Sequence, residues 1–109
     1  MAEYTVLTYT ENGRDIFKEW FDSLRDVKAK TAIYRTLLKL ENGNLGDNHY
    51  CRDGVWEIRI NISAGYRIYY SMVGKVILLL LCAGTKRTQN KDIDKAVNYL
   101  NEFNRRNKK

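Results

Sequence analysis

The sequence predicts an α+β domain with one curved, antiparallel-rich sheet, a helical hairpin ahead of it and a helix behind it. Three observations carry this. Val55–Tyr70 alternates apolar and polar residues with a period of two, the mark of strands with one buried face. Val76–Cys82 is an unbroken apolar run, as in an interior strand covered on both sides. Apolar residues at helical spacing occupy two segments before these strands and one after them.

In chain order, Tyr4–Tyr9 is rich in β-branched and aromatic residues and reads as an N-terminal strand, expected beside the long apolar strand. Asn12 with Asp15 reads as a capped helix start, followed by Ile16, Phe17, Trp20, Phe21 and Leu24 on one face. Asp26 caps a second helix with Ala29, Ile33, Leu37 and Leu40 inward, and Asn42-Gly43 stops it. Asn48–Arg52 is a short strand leading to an Asp53-Gly54 turn.

The main hairpin follows. Trp56, Ile58, Ile60 and Ile62 share one face; Val55, Glu57, Arg59 and Asn61 share the other. Ser63-Ala64-Gly65 reads as a three-residue loop with Gly65 in the left-handed position. Pairing Ile62 with Tyr66 sets Asn61 opposite Arg67 and Arg59 opposite Tyr69, on an exposed polar face. Gly74-Lys75 turns the chain again, and pairing Met72 with Val76 sets Tyr66 opposite Cys82. That register brings Lys86 and Arg87 beside Arg67 and Asn61. Thr88 or Asn90 caps a last helix with Ile93, Ala96, Val97, Leu100 and Phe103 inward, and the basic tail 105–109 is expected to fray. With no proline, repeat or linker, residues 1–109 read as one domain.

Charge narrows the partners. Residues 1–51 hold seven basic and eight acidic side chains, and residues 52–109 hold twelve and five, so the net +6 sits in the half with the hairpin. A polyanion, most simply nucleic acid, is the partner this suggests; the alternative is a merely solvated surface. Cys51 and Cys82 form no disulfide framework or metal motif, and the one histidine, His49, makes zinc or two-histidine chemistry improbable. His49 is read as a surface residue and set aside. No signal region opens the chain and no run is long enough to span a bilayer, so a cytoplasmic protein with no membrane partner is expected.

Val55-Trp56-Glu57-Ile58-Arg59-Ile60, Gly65-Tyr66-Arg67-Ile68-Tyr69-Tyr70 and Leu79–Lys86 together resemble the RelE/ParE toxins of bacterial type II toxin–antitoxin pairs. The nearest likeness is to the HigB-like subgroup called addiction-module killer proteins. Phe17–Phe21, Leu24-Arg25-Asp26, Leu40–Asn44 and Asp92–Ala96 extend it over nearly the whole chain. The resemblance implies a RelE-like fold and a metal-independent, cofactor-free messenger-RNA endonuclease acting on the ribosome, in which the RNA's 2′-hydroxyl attacks the adjacent phosphate. It maps the catalytic residues onto Arg59, Arg67 and Lys86, with Glu57, Asn61, Tyr69 and Arg87 contacting substrate. Glu57 is a candidate acceptor of the 2′-hydroxyl proton, Lys86 a candidate donor to the leaving oxygen, and Tyr69 a platform for a base. Some of the family's ribonucleases use a tyrosine or histidine near the start or end of the last helix; this chain has Ile93 at the early position and Tyr99 and Phe103 further on. The partner implied is an antitoxin with a helix-turn-helix DNA-binding domain. The alternatives are a non-enzymatic toxin that binds a protein such as DNA gyrase, or an inactive nucleic-acid-binding member.

Overall fold

The computed structural model describes residues 3–108; Met1 and Ala2, within the start read as lacking a signal region, and Lys109, the end of the basic tail, lie outside the described residues. β1 (Thr5–Thr8) is followed by a small ribbon, β2 (Thr10–Glu11) and β3 (Arg14–Asp15). Then come α1 (Ile16–Ser23), α2 (Val27–Glu41), β4 (Asn48–Arg52), β5 (Val55–Ile60), β6 (Tyr66–Val73), β7 (Ile77–Thr85), a 3₁₀ turn (Lys86–Thr88) and α3 (Gln89–Arg106). The main sheet has the order β1-β7-β6-β5-β4, antiparallel except for β1, which runs parallel to β7. The α+β class and the place of the N-terminal strand are as expected from sequence.

The helix boundaries follow from capping chemistry. Asp15 accepts from the Lys18 amide and Asp26 from the Ala29 amide, each satisfying a donor that the first turn leaves unpaired. Asn12, expected to help cap α1, instead sits at φ 53° in the tight turn of the β2–β3 ribbon. α2 ends where Gly43 takes a left-handed φ of 87°. Thr88 precedes α3 without a side-chain cap, and α3 continues to Arg106, so two residues of the supposed fraying tail are helical.

Two cores lie on the two sides of the sheet. α1 and α2 cover one, with Phe17, Ala29, Ile33 and Leu40 against Ile58, Ile68, Tyr70 and Leu80. α3 covers the other, with Ala96, Val97 and Leu100 against Val55, Tyr69, Leu79 and Leu81. Both registers differ from the sequence expectation. Ile60, not Ile62, opposes Tyr66, so Arg59 faces Arg67 and Glu57 faces Tyr69. The loop is longer because Ile62 and Gly65 make local backbone bonds to Ile60 and Ile62, with Ser63 and Gly65 left-handed. Met72 opposes Leu78, and a bulge between Tyr69 and Tyr70 leaves Leu81 unpaired, so Tyr66 opposes Thr85 rather than Cys82. The bulge turns both Leu81 and Cys82 toward α3.

Candidate cationic site on the sheet

Directly opposed residues of antiparallel strands project to the same face. One row across β4, β5 and β6 is therefore His49, Glu57 and Tyr69, and the next holds Arg59 and Arg67 side by side. Two like charges directly opposed repel, and Glu57 lies where it offsets both. Its Oε2 accepts from Arg59 Nε at 2.6 Å and from Arg67 Nη1 at 3.0 Å. Its Oε1 accepts from Gln89 Nε2 at 3.0 Å and from Cys51 Sγ at 3.8 Å. Burial and the adjacent Glu57 carboxylate push the Cys51 thiol up to about 11, so it stays a donor.

The polar face expected to lie open is thus mostly roofed by α3. The side chains of Glu57 and Arg67 are 2 % and 9 % exposed, whereas Arg59 is 36 % exposed. Burial alone would raise the Glu57 pKa; the hydrogen bonds from Arg59 and Gln89 and the charge of Arg67 outweigh it and hold the carboxylate below its usual range. A buried, weakly basic carboxylate with both oxygens occupied is not available to take a proton from a substrate, which corrects the base role expected for Glu57. Tyr69 is fully buried, and burial pushes its hydroxyl well above the ordinary tyrosine value. Its ring packs into the core under α3 and offers no face to a nucleobase, so the stacking role is corrected too. Its hydroxyl and Arg67 Nε are both buried without a hydrogen-bond partner among the described residues.

Lys86 and Arg87 stand exposed on the 3₁₀ turn. The Lys86 amide donates to the Gly65 carbonyl at 2.7 Å, which fastens this turn to the β5–β6 loop carrying exposed Asn61. Lys86, Arg87, Gln89 and Lys91 line an open depression of about 360 Å³ at the start of α3, where the helix dipole adds positive potential. Gln89 belongs to both halves of the site: it lines the depression and binds Glu57. Tyr99 stacks on Tyr9 at 5.0 Å and Phe103 packs into the same core, so the aromatic residues of α3 are committed elsewhere.

The structure therefore gathers Arg59, Arg67 and Glu57 in one network, places Lys86, Arg87 and Asn61 at its rim, and puts Tyr69 beneath it. Sequence reasoning missed Gln89 and Cys51 because nothing in a linear pattern marks a neutral side chain as the partner of a buried carboxylate. Removing the Gln89 donor leaves Glu57 Oε1 with only the weak thiol bond. Gln89→Ala is expected to lower stability by about 1.5 kcal/mol, the scale of a hydrogen bond to a charged group; urea unfolding followed by tryptophan fluorescence measures it. No helix of the described residues is long and apolar enough to cross a membrane, and no group of three or more His, Cys, Asp or Glu among them could hold a metal ion.

The family model for phage-derived Gp49-like proteins (DUF891) matches residues 19–101, which include every residue of the network and its rim. An uncharacterized protein of Haemophilus influenzae is 40 % identical over 80 residues, covering 73 % of this chain and 81 % of the relative.

Proposed function

We propose, from the premise that this chain belongs to the phage-derived Gp49-like family, the RelE/HigB-like toxin family of toxin–antitoxin modules, that it is a metal-independent messenger-RNA endonuclease. It acts on ribosome-bound transcripts, and it belongs with the addiction-module killer proteins. Family membership implies an antitoxin partner; we take that partner to carry a helix-turn-helix domain and to hold the toxin away from the ribosome.

The observation that carries this reading is the arginine pair on β5 and β6. Arg59 meets Glu57 through its Nε, a bond that uses neither of its two Nη groups. With a third of its side chain exposed, it presents a planar fork suited to two phosphate oxygens. Arg67 stands directly opposite it on β6 and adds charge that solvent barely screens. Attack of a 2′-hydroxyl concentrates negative charge on the non-bridging oxygens, and preorganised donors aimed there stabilise that charge more than the ground state. Lys86 at the rim supplies a proton to the departing 5′-oxygen, and Arg87, Lys91 and Asn61 hold the flanking backbone.

Primer extension on a reporter transcript after brief induction tests the reading. Wild type is expected to create new RNA ends within the translated region and to arrest growth. Arg59→Ala, which removes the exposed fork, is expected to cut the cleavage rate 10²–10³-fold, about the cost of one oxyanion donor. Growth arrest with intact transcripts would instead favour a toxin that binds a protein target such as DNA gyrase. No arrest would leave a binding module.

A further inference from the structure

With Glu57 buried beneath its own partners, the candidate site lacks the proton acceptor that attack by a 2′-hydroxyl needs. The same row of the sheet supplies one. His49 on β4 is the cross-strand partner of Glu57, so its imidazole projects to the Arg59–Arg67 face at the open edge of the sheet. Its Nε2 lies 2.7 Å from Asp47 Oδ1, and the pair remains accessible, with 42 % and 51 % of the side chains exposed. Asp47 is fixed in turn by its carbonyl, which accepts the Arg59 amide at 2.9 Å. In the neutral imidazole, pairing with an ionised Asp47 puts the one ring proton on Nε2 and leaves Nδ1 as the acceptor.

We propose that His49, oriented by Asp47, is the general base of the RNA cleavage reaction; this rests on the ribonuclease reading above. Strand order places it and Lys86 on opposite sides of the arginine pair: β4 carries His49, β5 and β6 carry Arg59 and Arg67, and Lys86 follows the end of β7. In-line displacement needs the entering and leaving oxygens on opposite sides of phosphorus, so a base and an acid that flank the phosphate-binding arginines fit it. β4 and β7 are three strand spacings apart, roughly 14 Å, and Lys86 lies four residues beyond Cys82, the residue of β7 in the His49 row, so both side chains must lean toward the arginine row to meet one phosphodiester.

The step balances. Nδ1 of His49 takes the 2′-hydroxyl proton as that oxygen bonds to phosphorus, and the bond from phosphorus to the 5′-oxygen breaks. The departing oxygen takes a proton from the Lys86 ammonium. The products are a 2′,3′-cyclic phosphate and a 5′-hydroxyl, and exchange with solvent restores both side chains. Asp47 offsets the charge of the imidazolium that forms. The groups facing His49 are Asp47, Glu57 and Arg59, with Cys51 two residues along the strand; above Glu57, α3 contributes the uncharged Gln89.

The test is single-turnover cleavage of ribosome-bound messenger RNA by the full chain, with an ordinary substrate and with one whose bridging 5′-oxygen is replaced by sulfur. His49→Ala is expected to slow the ordinary substrate 10²–10⁴-fold, the usual share of a positioned acid or base. A departing thiolate needs no proton, so the defect of Lys86→Ala is expected to shrink on the sulfur substrate while that of His49→Ala persists. His49→Gln, which keeps a donor to Asp47, controls for folding and is expected to be as slow as His49→Ala. Wild-type rates in the His49 variants, or a His49 defect rescued by sulfur, would overturn the base assignment and leave the nuclease reading standing. Failure of wild type itself to cut, with growth still arrested, would overturn both.

Discussion

Glu57→Ala is expected to destabilise the fold by about 3–5 kcal/mol, the range for removing one partner of a buried ion pair. The reason is what remains. Arg67, 9 % exposed, keeps its charge under α3 and already has one buried nitrogen without a partner; loss of Glu57 adds a second and leaves Arg59 directly opposite with nothing between them. Gln89 and the Cys51 thiol lose their acceptor as well. Glu57→Gln keeps the shape and an acceptor oxygen but removes the charge, and is expected to fall between alanine and wild type. The same network sets a pH dependence. Because the folded-state pKa of Glu57 is held below its ordinary value, its contribution is fully present above the ordinary glutamate range and is lost as pH falls through the depressed folded value. Urea midpoints followed by tryptophan fluorescence from neutral into acid pH therefore decline for wild type more steeply than for Glu57→Gln. A loss under about 1 kcal/mol for Glu57→Ala, below the range for a buried pair, would mean that the arginines swing out to water and that Glu57 does not hold them.

The sequence showed this site in part, and the reason lies in the parity of a strand. The β5–β6 pairing read from the sequence was displaced by two residues, yet a shift of two leaves every side chain on its own face, so Arg59, Arg67 and Glu57 still fell together. Loop length set the error: Ile62 leaves the ladder and packs into the core beneath α1 and α2, which no alternation of polar and apolar residues reveals. The depth of the site was illegible for a different reason. Glu57, Arg67, Tyr69 and Ser71 alternate with apolar neighbours as a solvated face would, and all four are buried. The inward stripe Ile93, Ala96, Val97, Leu100 and Phe103 was plain in α3, but a stripe does not say which side of the sheet it covers. His49 reads as a surface residue from sequence because only the β4–β5 register, with its shift between Tyr50 and Arg52, sets it beside Glu57.

Gly84→Ala is the second large effect expected, and it acts through helix placement rather than through any polar group. Gly84 lies opposite Arg67 on β7, and a Cβ there would stand 1.9 Å from Asp92 Oδ2, 2.8 Å from its Cγ and 3.0 Å from Thr88 Oγ1. Asp92 cannot swing aside cheaply: it is buried in the first turn of α3, and its Oδ2 accepts from the Thr88 hydroxyl at 2.5 Å. Its backbone carbonyl also accepts from Cys82 Sγ. An added methyl must therefore lift the start of α3 off the sheet, a cost of about 1–3 kcal/mol by analogy with overpacked cores. That start carries Gln89, which holds Glu57, and follows directly on the turn that carries Lys86 and Arg87. One methyl group should thus weaken the fold and also disengage the basic rim from the arginine pair, with a loss of the proposed RNA cleavage beyond what stability alone explains. A double-mutant cycle with Asp92→Ala isolates the contact. Removing the carboxylate opens space for the new methyl, so the pair of substitutions is expected to be more stable than the sum of the two single losses. Strict additivity, or a Gly84→Ala protein with an unchanged urea midpoint, would show that α3 does not depend on this close approach and that the rim is held in register by Gln89 alone.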